Sequence, residues 1–231
     1  MNINTLHPDA LPFLRELTMN NNREWFQANK PRYDAIKKHF EQFTSALIEA
    51  ISPLDPSIAG ADPKRCIYRI YRDIRFSQDK RPYKTHLSLF IPSGGVRRTG
   101  VPGYYAQFDG DPEEGSFMGS GIFMPEPIAL KAIIQEIYYN VEEFKQIINN
   151  KEYKRWYPGD FYTWKKLTTV PKGYPKDWPD ADLLRYKDYC AMHYVSDEEI
   201  SNNNLLDNTI ACFKAAVPLN KFIQRAMYEL L

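Results

Sequence analysis

Apolar residues recur every three or four positions in two long stretches of the chain, which is the spacing of an amphipathic helix. The first stretch begins at Pro31, a residue that suits the first turn of a helix. The second begins near Pro125 or Pro127. The repeated apolar positions are Tyr33, Ile36, Phe40, Phe43, Leu47 and Ile51 in the first stretch, and Leu130, Ile133, Ile137, Val141, Phe144 and Ile148 in the second. Both stretches are predicted to be helices that bury this stripe in the core.

Further helices are predicted at the two ends of the chain. Asp9 is placed to cap a short helix that continues to Leu17. Near the carboxyl end, residues 205–217 and 219–231 have helical composition. Pro218 between them predicts a break, because proline cannot donate a helical hydrogen bond.

Between Arg65 and Met124 the apolar period changes to two, as is typical of strands. Four runs are separated by turn-forming residues and predict an antiparallel meander: CIYRIYR, HLSLFIP, GYYAQFD and SFMGSGIFM. A fifth strand is predicted at DYCAMHYV, residues 188–195. The succession of helix, strands and helix predicts one α+β domain over residues 1–231. Its antiparallel sheet has about five strands, and helices pack mainly on one face.

Residues 153–182 differ from the rest of the chain because they combine eight aromatic residues with four prolines. The prolines exclude a long helix or strand, and the aromatic content is too high for a disordered linker. The segment is predicted to be an ordered loop folded over another surface. Both a lid over a site and a simple completion of the core are compatible with this composition.

Composition indicates an ordinary soluble protein, with 43% hydrophobic and 26% charged residues. No apolar run approaches the roughly 20 residues that a membrane-spanning helix requires. The first residues, MNINTLHPDALPF, lack the basic and apolar regions of a secretory signal. The chain is therefore predicted to be cytoplasmic and not to interact with a membrane.

Cysteine and histidine spacing predicts neither a disulfide framework nor a metal site. The residues concerned are Cys66, Cys190 and Cys212, with His7, His39, His86 and His193. They form no C-x-x-C or H-E-x-x-H pattern, and reduced, buried thiols are expected. No motif indicates a particular cofactor or oligomeric state.

Positive charge is concentrated in one segment, although the net charge of the whole chain is only +1. Residues 64–98 contain ten Lys or Arg against two Asp, a local net charge of +8, so the remaining residues carry −7. A focused excess of this kind indicates a site for an anion more than a general nucleic-acid coat.

Alternation along residues 65–76, if they are extended, places Arg69 and Arg75 on a polar face and Arg72 on the apolar one. Arg72 must then leave the strand at a bend or be paired, because an unpaired buried charge is costly. Guanidinium groups bind phosphate and carboxylate well. The hypothesis is that an anionic small molecule, phosphorylated or carboxylated, binds in a pocket formed by Arg69, Arg72, Arg75, Lys80 and Lys84.

The same segment admits other functions. Asp73 and Asp79 are weak candidates for a base in hydrolase- or transferase-type chemistry, although no known catalytic motif is present. Nucleic-acid binding through the basic strip, with aromatic residues of 153–178 stacking on bases, is one alternative. A structural or protein-interaction role is another, in which Asp73, Asp79 and acids of 109–114 pair with the basic residues.

Gly119 and Gly121 lie two apart in a predicted strand and therefore share one face, flanked by Phe117 and Phe123. Missing side chains there leave room for a ligand or for the close approach of another backbone. A bulge or helix packing requires the same glycines, and this is the commoner explanation. The pattern does not match a phosphate-binding loop.

The basic segment YRIYRDIRFSQDKRPYKTH resembles the bacterial and fungal family called domain of unknown function 2461. The resemblance is supported by NNNREWFQANKPRY before this segment and GSGIFMPEPIAL after it, and it extends from about Leu11 to Ile200. The R-D-x-R-F-S-x-D-K-x-P-Y-K-T core is specific, whereas Phe123 stands where the family often has Trp. The resemblance implies a single-domain intracellular protein. It implies no established activity and hence no catalytic residues.

Overall fold

The computed structural model describes residues 2–95, 100–111, 113–163, 166–228 and 230. Within these ranges the helices are α1 (Ala10–Met19), α2 (Arg23–Ala28), α3 (Lys30–Ile51), α4 (Pro63–Cys66), α5 (Pro127–Tyr139), α6 (Val141–Ile148), α7 (Lys151–Trp156), α8 (Asp197–Ser201) and α9 (Leu205–Ala226). The strands are β1 (His86–Pro92), β2 (Gly103–Asp109), β3 (Ser116–Ile122) and β4 (Tyr189–Val195). None of these helices combines the length and the apolar composition needed to cross a membrane. The predicted α+β fold is confirmed.

The long helix α9 lies at the centre of the helical layer. It packs across β3 and also contacts α3, α5, α6 and α7. Phe213 and Phe222 of α9 are fully buried, and the ring centre of Phe213 lies 5.2 Å from that of Tyr104 in β2. Burial of apolar surface between α9 and one face of the sheet therefore joins the two layers.

Strands β1 to β4 lie side by side in sequence order, and each neighbouring pair is antiparallel. The register places His86 opposite Asp109 at one end of the β1/β2 pair, and Pro92 opposite Gly103 at the other. Successive side chains of a strand point to opposite faces. Each strand therefore gives one set of side chains to the α9 layer and the other set to the opposite face.

The predicted first strand, within residues 65–76, does not form a regular strand. Its beginning belongs to α4, and the extended residues that follow meet β1 through an isolated bridge between Ile67 and Leu89. Ile67 and Ile70 are both buried although they are three positions apart, and Phe76 is 94% exposed, so the segment does not alternate as a regular strand does. The prediction that this segment is a sheet strand was wrong.

After Ile70 the chain pairs with itself. The backbone N–H of Lys84 donates to the carbonyl of Ile70 at 2.8 Å, and the N–H of Arg72 donates to the carbonyl of Pro82 at 2.9 Å. Pro82 has no N–H to donate in return, so a continuous ladder cannot form. The result is an irregular hairpin whose outer part, residues 72–81, is called the basic loop below. Arg97 and Arg98, also counted in the positive segment, lie outside the described residues.

The second predicted long helix is divided into α5 and α6 at Asn140. The backbone of Asn140 has φ −122° and ψ 39°, which is outside the helical region. Asparagine favours such helix ends because its side chain competes for backbone hydrogen bonds. Ile133, Ile137 and Phe144 of the predicted stripe are nevertheless fully buried.

Pro218 does not separate two helices, because α9 runs through it without a break. Without an N–H, Pro218 leaves the carbonyl of Lys214 without its helical partner. Both residues lie on the exposed side of α9, where water can bond that carbonyl. Val217 and Leu219 beside the proline are buried, and this burial favours a continuous helix over the predicted break.

Asp9 immediately precedes α1, as predicted, but its side chain does not cap the helix. Its carboxylate accepts two hydrogen bonds of 2.8 Å from Arg32 of α3. Glu16 of α1 binds the same guanidinium. The acidic groups therefore connect α1 to α3 instead of satisfying the backbone of α1.

The aromatic segment 153–182 starts within α7 and continues as an ordered loop over the core. The side chains that pack partly buried against the core include Trp156, Phe161, Tyr174 and Trp178. The N–H of Tyr162 donates to the carbonyl of Cys190 at 2.8 Å, which brings this loop to the outer edge of β4. Trp164 and Lys165 lie outside the described residues. The loop therefore completes the core and also reaches the open face of the sheet.

Candidate functional site

The face of the sheet that points away from α9 lines a cavity of about 760 Å³, called the sheet-face cavity below. Side chains and glycines of all four strands form its floor: Ser88 and Phe90 from β1, Gly103 and Tyr105 from β2, Phe117, Gly119 and Gly121 from β3, and Cys190 and Met192 from β4. Its walls include Tyr68, Lys84, Val101, Met124 and Tyr162. A cavity of this size and mainly apolar lining is typical of small-molecule sites.

The three glycines on the cavity floor differ in why glycine stands at each position. A Cβ atom on Gly103 would lie 2.4 Å from the Ile91 carbonyl oxygen, and one on Gly121 would lie 2.0 Å from the Tyr189 oxygen. Gly121 also has φ +111°, which other residues rarely adopt. A Cβ atom on Gly119, in contrast, would meet its nearest atom at 3.4 Å, an ordinary contact. Neither backbone strain nor crowding therefore requires glycine at position 119, and its effect is to leave the floor open.

Aromatic rings surround this open floor. The ring centre of Tyr105 lies 5.4 Å from that of Phe117 and 6.2 Å from that of Tyr68. On another side, Phe123 and Tyr162 lie 6.2 Å apart. Burial raises the pKa of Tyr105 to about 12, so its hydroxyl remains protonated near neutral pH. Such walls favour a flat, apolar molecular body.

One end of the cavity, called the polar end below, is formed by Lys84 and His86, with Asp109 behind His86. Lys84 is half-buried, and its ammonium lies 4.9 Å from the ring centre of Tyr68. Nδ1 of His86 lies 3.2 Å from Oδ2 of Asp109 across the β1/β2 pair. Lys84 and His86 both line the cavity, so a cation and an imidazole face the same space.

The Asp109 carboxylate is buried, with its side chain only 1% exposed. Oδ1 accepts the backbone N–H of Asp111 at 2.9 Å, and Oδ2 accepts Nε2–H of Gln107 at 3.2 Å. Burial alone raises the pKa of this carboxyl, but hydrogen bonds from His86 and Asp111 outweigh it and lower the pKa below its ordinary value. Asp109 is therefore held as a carboxylate that can only accept hydrogen bonds.

A line of hydrogen bonds continues from Asp109 into the cavity floor. The Tyr105 hydroxyl donates to Oε1 of Gln107 at 2.7 Å, and Gln107 donates to Asp109 in turn. This arrangement fixes the amide of Gln107 and the carboxylate it binds. The orientation of the His86 ring, in β1, therefore depends on a line of side chains in β2.

Cys190 lies on the floor but is not suited to act as a nucleophile. Burial raises the pKa of its thiol to about 12, with a smaller contribution from Asp188. The thiolate is the reactive form of cysteine, and at neutral pH very little of it would be present. The thiol therefore acts as a small apolar group in the cavity.

Arg72, predicted to be bent away or paired, is paired. Its Nη1 donates to Oδ2 of Asp79 at 2.6 Å and to the carbonyl of Arg81 at 3.1 Å. Arg81 also binds Asp79, with Nε 2.9 Å from Oδ2. The Arg81 side chain and backbone, followed by Arg72, hold the pKa of Asp79 well below its usual range. These residues form an ion-pair network within the basic loop.

The second acid of the basic loop has a similar arrangement. Asp73 accepts hydrogen bonds from the Arg75 backbone N–H at 3.2 Å and from Nη2 of Arg75 at 2.6 Å. These bonds lower the pKa of Asp73 to about 2. A carboxylate with so low a pKa is a poor general base near neutral pH, and the same argument applies to Asp79.

The structure does not bring the five predicted ligand-binding residues into one pocket. Lys84 lines the sheet-face cavity, whereas Arg72, Arg75 and Lys80 belong to the basic loop and do not line it. Nζ of Lys80 donates to the carbonyl of Ile74 at 3.1 Å. Arg69 is exposed, and its charge contributes to the lowered pKa of Asp73.

Sequence reasoning missed the pairing of His86 with Asp109. His86 was considered only among the histidines without metal-site spacing, and Asp109 only among the acids of 109–114. The signal was present, because His86 begins one predicted strand and Asp109 ends the next. Antiparallel pairing with a full seven-residue register brings these two ends together.

Within the described ranges, no three or more His, Cys, Asp or Glu residues cluster in a way that could hold a metal ion. The polar end offers one imidazole and one buried carboxylate that already accepts several hydrogen bonds. These residues can bind and orient an organic molecule and can accept or return a proton.

The fold and the cavity define an α+β protein with a small-molecule-sized cavity on the open face of an antiparallel sheet. The chain belongs to the family described as conserved hypothetical protein (DUF2461), whose model matches residues 9–222. The resemblance inferred from the basic segment is thereby confirmed. Comparison with curated proteins and with solved structures gave no match.

Proposed function

We propose that this protein binds a small anionic molecule with a flat, apolar body in the sheet-face cavity. The observation that carries the proposal is the combination of Lys84 and His86 at one end with an open, aromatic-lined floor over Gly119. The aromatic rings favour the body of the ligand, and the ammonium of Lys84 favours a carboxylate or phosphate group.

Charge placement supports the cavity over the basic loop as the anion site. In the basic loop, Arg72, Arg75 and Arg81 are bound to Asp73 and Asp79, and the side chains of Arg75 and Arg81 are 76% and 50% exposed. Charges this exposed are screened by water and salt. At the polar end, Lys84 lies against an aromatic ring, where a bound anion is less screened by water than in the exposed loop.

The proposal can be tested with three aromatic probes of similar size: naphthoate, naphthyl phosphate and the uncharged naphthamide. Calorimetric titration should show binding of at least one anion and weaker binding of the amide. Lys84→Ala should weaken anion binding by about 10- to 100-fold, as expected for the loss of a charged hydrogen bond. Lys80→Ala is the matched control, because Lys80 lies in the basic loop, and it should change the affinity less than about twofold. Equal effects of both substitutions would contradict the proposal.

Nucleic-acid binding is the alternative function, and one observation favours it. Phe76, at the outer part of the basic loop, is 94% exposed, and the Arg75 guanidinium lies 5.8 Å from its ring centre. Such a pair can stack on an unpaired base. This alternative requires oligonucleotide affinity that falls steeply with salt concentration and is lost in Phe76→Ala. Unchanged affinity in that variant would contradict it.

A further inference from the structure

The hydrogen-bonding partner of His86 determines which ring nitrogen can meet a ligand. The Asp109 carboxylate can only accept, so the proton between the two side chains belongs to Nδ1 of His86. In the uncharged ring, Nε2 then carries the free electron pair. No described residue hydrogen-bonds Nε2, and the His86 side chain remains 23% exposed. The ring therefore has the orientation that a general base requires.

We propose that the sheet-face cavity is a hydrolytic site, in which His86 is the catalytic base and Asp109 is a positioning residue. This inference rests on the proposed function, because it acts on a molecule bound in the same cavity. The substrate class is a carboxylic ester that carries a single negative charge and a flat, apolar part.

The proposed reaction needs only water as a second reactant. Nε2 of His86 takes a proton from water while the water oxygen forms a bond to the ester carbonyl carbon. The tetrahedral intermediate then expels the alcohol oxygen, breaking the ester C–O bond, and the protonated imidazole returns its proton to that oxygen. The products are the acid and the alcohol, and His86 is regenerated.

The charges at the polar end support an ester with one charge over a phosphomonoester. Lys84 supplies one positive charge, whereas His86 must be uncharged to act as a base. Asp109 adds a negative charge beside His86, and Glu114, which also lines the cavity, adds another. A phosphomonoester near neutral pH carries close to two negative charges, so these carboxylates would repel it more strongly than an ester with one charge.

Aryl esters provide a direct test on the full chain. The probes are the para-nitrophenyl monoester of succinate, which keeps one carboxylate, and neutral para-nitrophenyl acetate. Release of nitrophenolate from the charged ester should be at least about 100-fold slower in His86→Gln than in the wild type. His7→Gln, a histidine outside the cavity, is the control and should hydrolyse both esters at the wild-type rate.

The variant Asp109→Asn tests whether Asp109 positions the His86 ring, while the side chain at position 109 keeps its size. An asparagine preserves the shape but can place its N–H₂ group against Nδ1, which favours the opposite tautomer. Nitrogen NMR of the His86 ring should therefore show the proton on Nδ1 in the wild type and on Nε2 in the variant. Hydrolysis should fall about 10- to 100-fold, while the thermal midpoint shows that the variant is folded.

The outcomes separate this inference from the proposed function. If naphthoate binds to the wild type but hydrolysis is the same in His86→Gln, the catalytic role is overturned and the binding function stands. If naphthoate, naphthyl phosphate and the charged ester all fail to bind, both are overturned. Naphthoate binding to the wild type, together with hydrolysis that is lost in His86→Gln and kept in His7→Gln, supports both.

Discussion

His86 and Asp109 form a hydrogen-bonded pair across the first two strands of the sheet, with Nδ1 and Oδ2 separated by 3.2 Å. The pair exists because the β1/β2 register places the first residue of one strand opposite the last residue of the other. On the same face, two residues earlier in β2, Gln107 donates a hydrogen bond to the Asp109 carboxylate. The local geometry of the polar end is therefore a direct consequence of strand register.

Two of the floor glycines, Gly119 and Gly121, should respond very differently to substitution. Gly119→Ala should change the free energy of unfolding by less than about 1 kcal/mol, because its Cβ fits at ordinary contact distance. Gly121→Ala should cost about 1–3 kcal/mol from its positive φ alone, in addition to a severe clash with Tyr189. Urea unfolding of both variants measures the difference.

Larger side chains at position 119 should then block the cavity. Gly119→Leu is expected to abolish naphthoate binding, since its side chain would occupy the floor between Phe117 and Cys190. Gly159→Leu is a control at a glycine with open space around it and outside the cavity. Full naphthoate affinity in folded Gly119→Leu would show that the ligand does not bind on this face.

Removing the shared acid of the basic loop should loosen the loop without affecting the cavity. In Asp79→Asn, the guanidiniums of Arg72 and Arg81 lose the charge that binds both of them. We expect faster tryptic cleavage within residues 72–81, because the loop opens more often. Naphthoate affinity should stay within about twofold of wild type. A loss of affinity as large as that in Lys84→Ala would instead make the loop part of the ligand site.

A buried hydrogen bond connects the sheet to the segment that follows α3. The hydroxyl of Tyr104 donates to Oδ2 of the buried Asp55 at 2.8 Å, and Gln224 of α9 donates to the same oxygen at 3.1 Å. Tyr104→Phe leaves this carboxylate short of one donor and should destabilise the protein by about 1–3 kcal/mol. Thermal or urea unfolding measures the change. Tyr194→Phe, at an exposed tyrosine, is the control and should have no comparable effect.

Asp109 should contribute to the acid sensitivity of the protein. Because its folded pKa lies below the unfolded value, its ionised form stabilises the fold above the unfolded pKa, and this contribution is lost as pH falls through the folded pKa. In the wild type, unfolding stability should therefore fall between about pH 5 and pH 2 more steeply than in Asp109→Asn. Equal slopes in urea titrations over this range would contradict the assignment.

Much of the fold could be predicted from local sequence patterns. The apolar stripe that includes Tyr33 and Phe43 predicted α3, because the spacing of three to four residues is set by local helix geometry and not by distant parts of the chain. The segment around Ile67 and Ile70 was misread as a strand, because its extended residues bury apolar side chains as a strand does but pair within their own hairpin. Pro218 was misread as a helix break, because the sequence does not show that it lies on the exposed side of α9. There water can replace the missing hydrogen bond.

The candidate site was harder to predict, because it depends on which strands pair and in what register. Charge alone indicated Lys84 together with Arg72 and Arg75, but it could not separate a cation in a cavity from arginines bound to local acids. Asp109 is distant from His86 in the chain, and only the antiparallel register joins them. Gly119 was recognised as a possible gap. The space around it, however, depends on where β4 places Cys190 and Ala191, and the sequence does not show this.

The most direct test of the central claim is amide NMR of the wild-type chain titrated with naphthoate. Ligand binding in the sheet-face cavity should shift the backbone signals of Gly119, Gly103 and His86, while those of Arg75 and Lys80 in the basic loop remain in place. Shifts confined to Arg75 and Lys80, with Gly119 and Gly103 unchanged, would contradict the account.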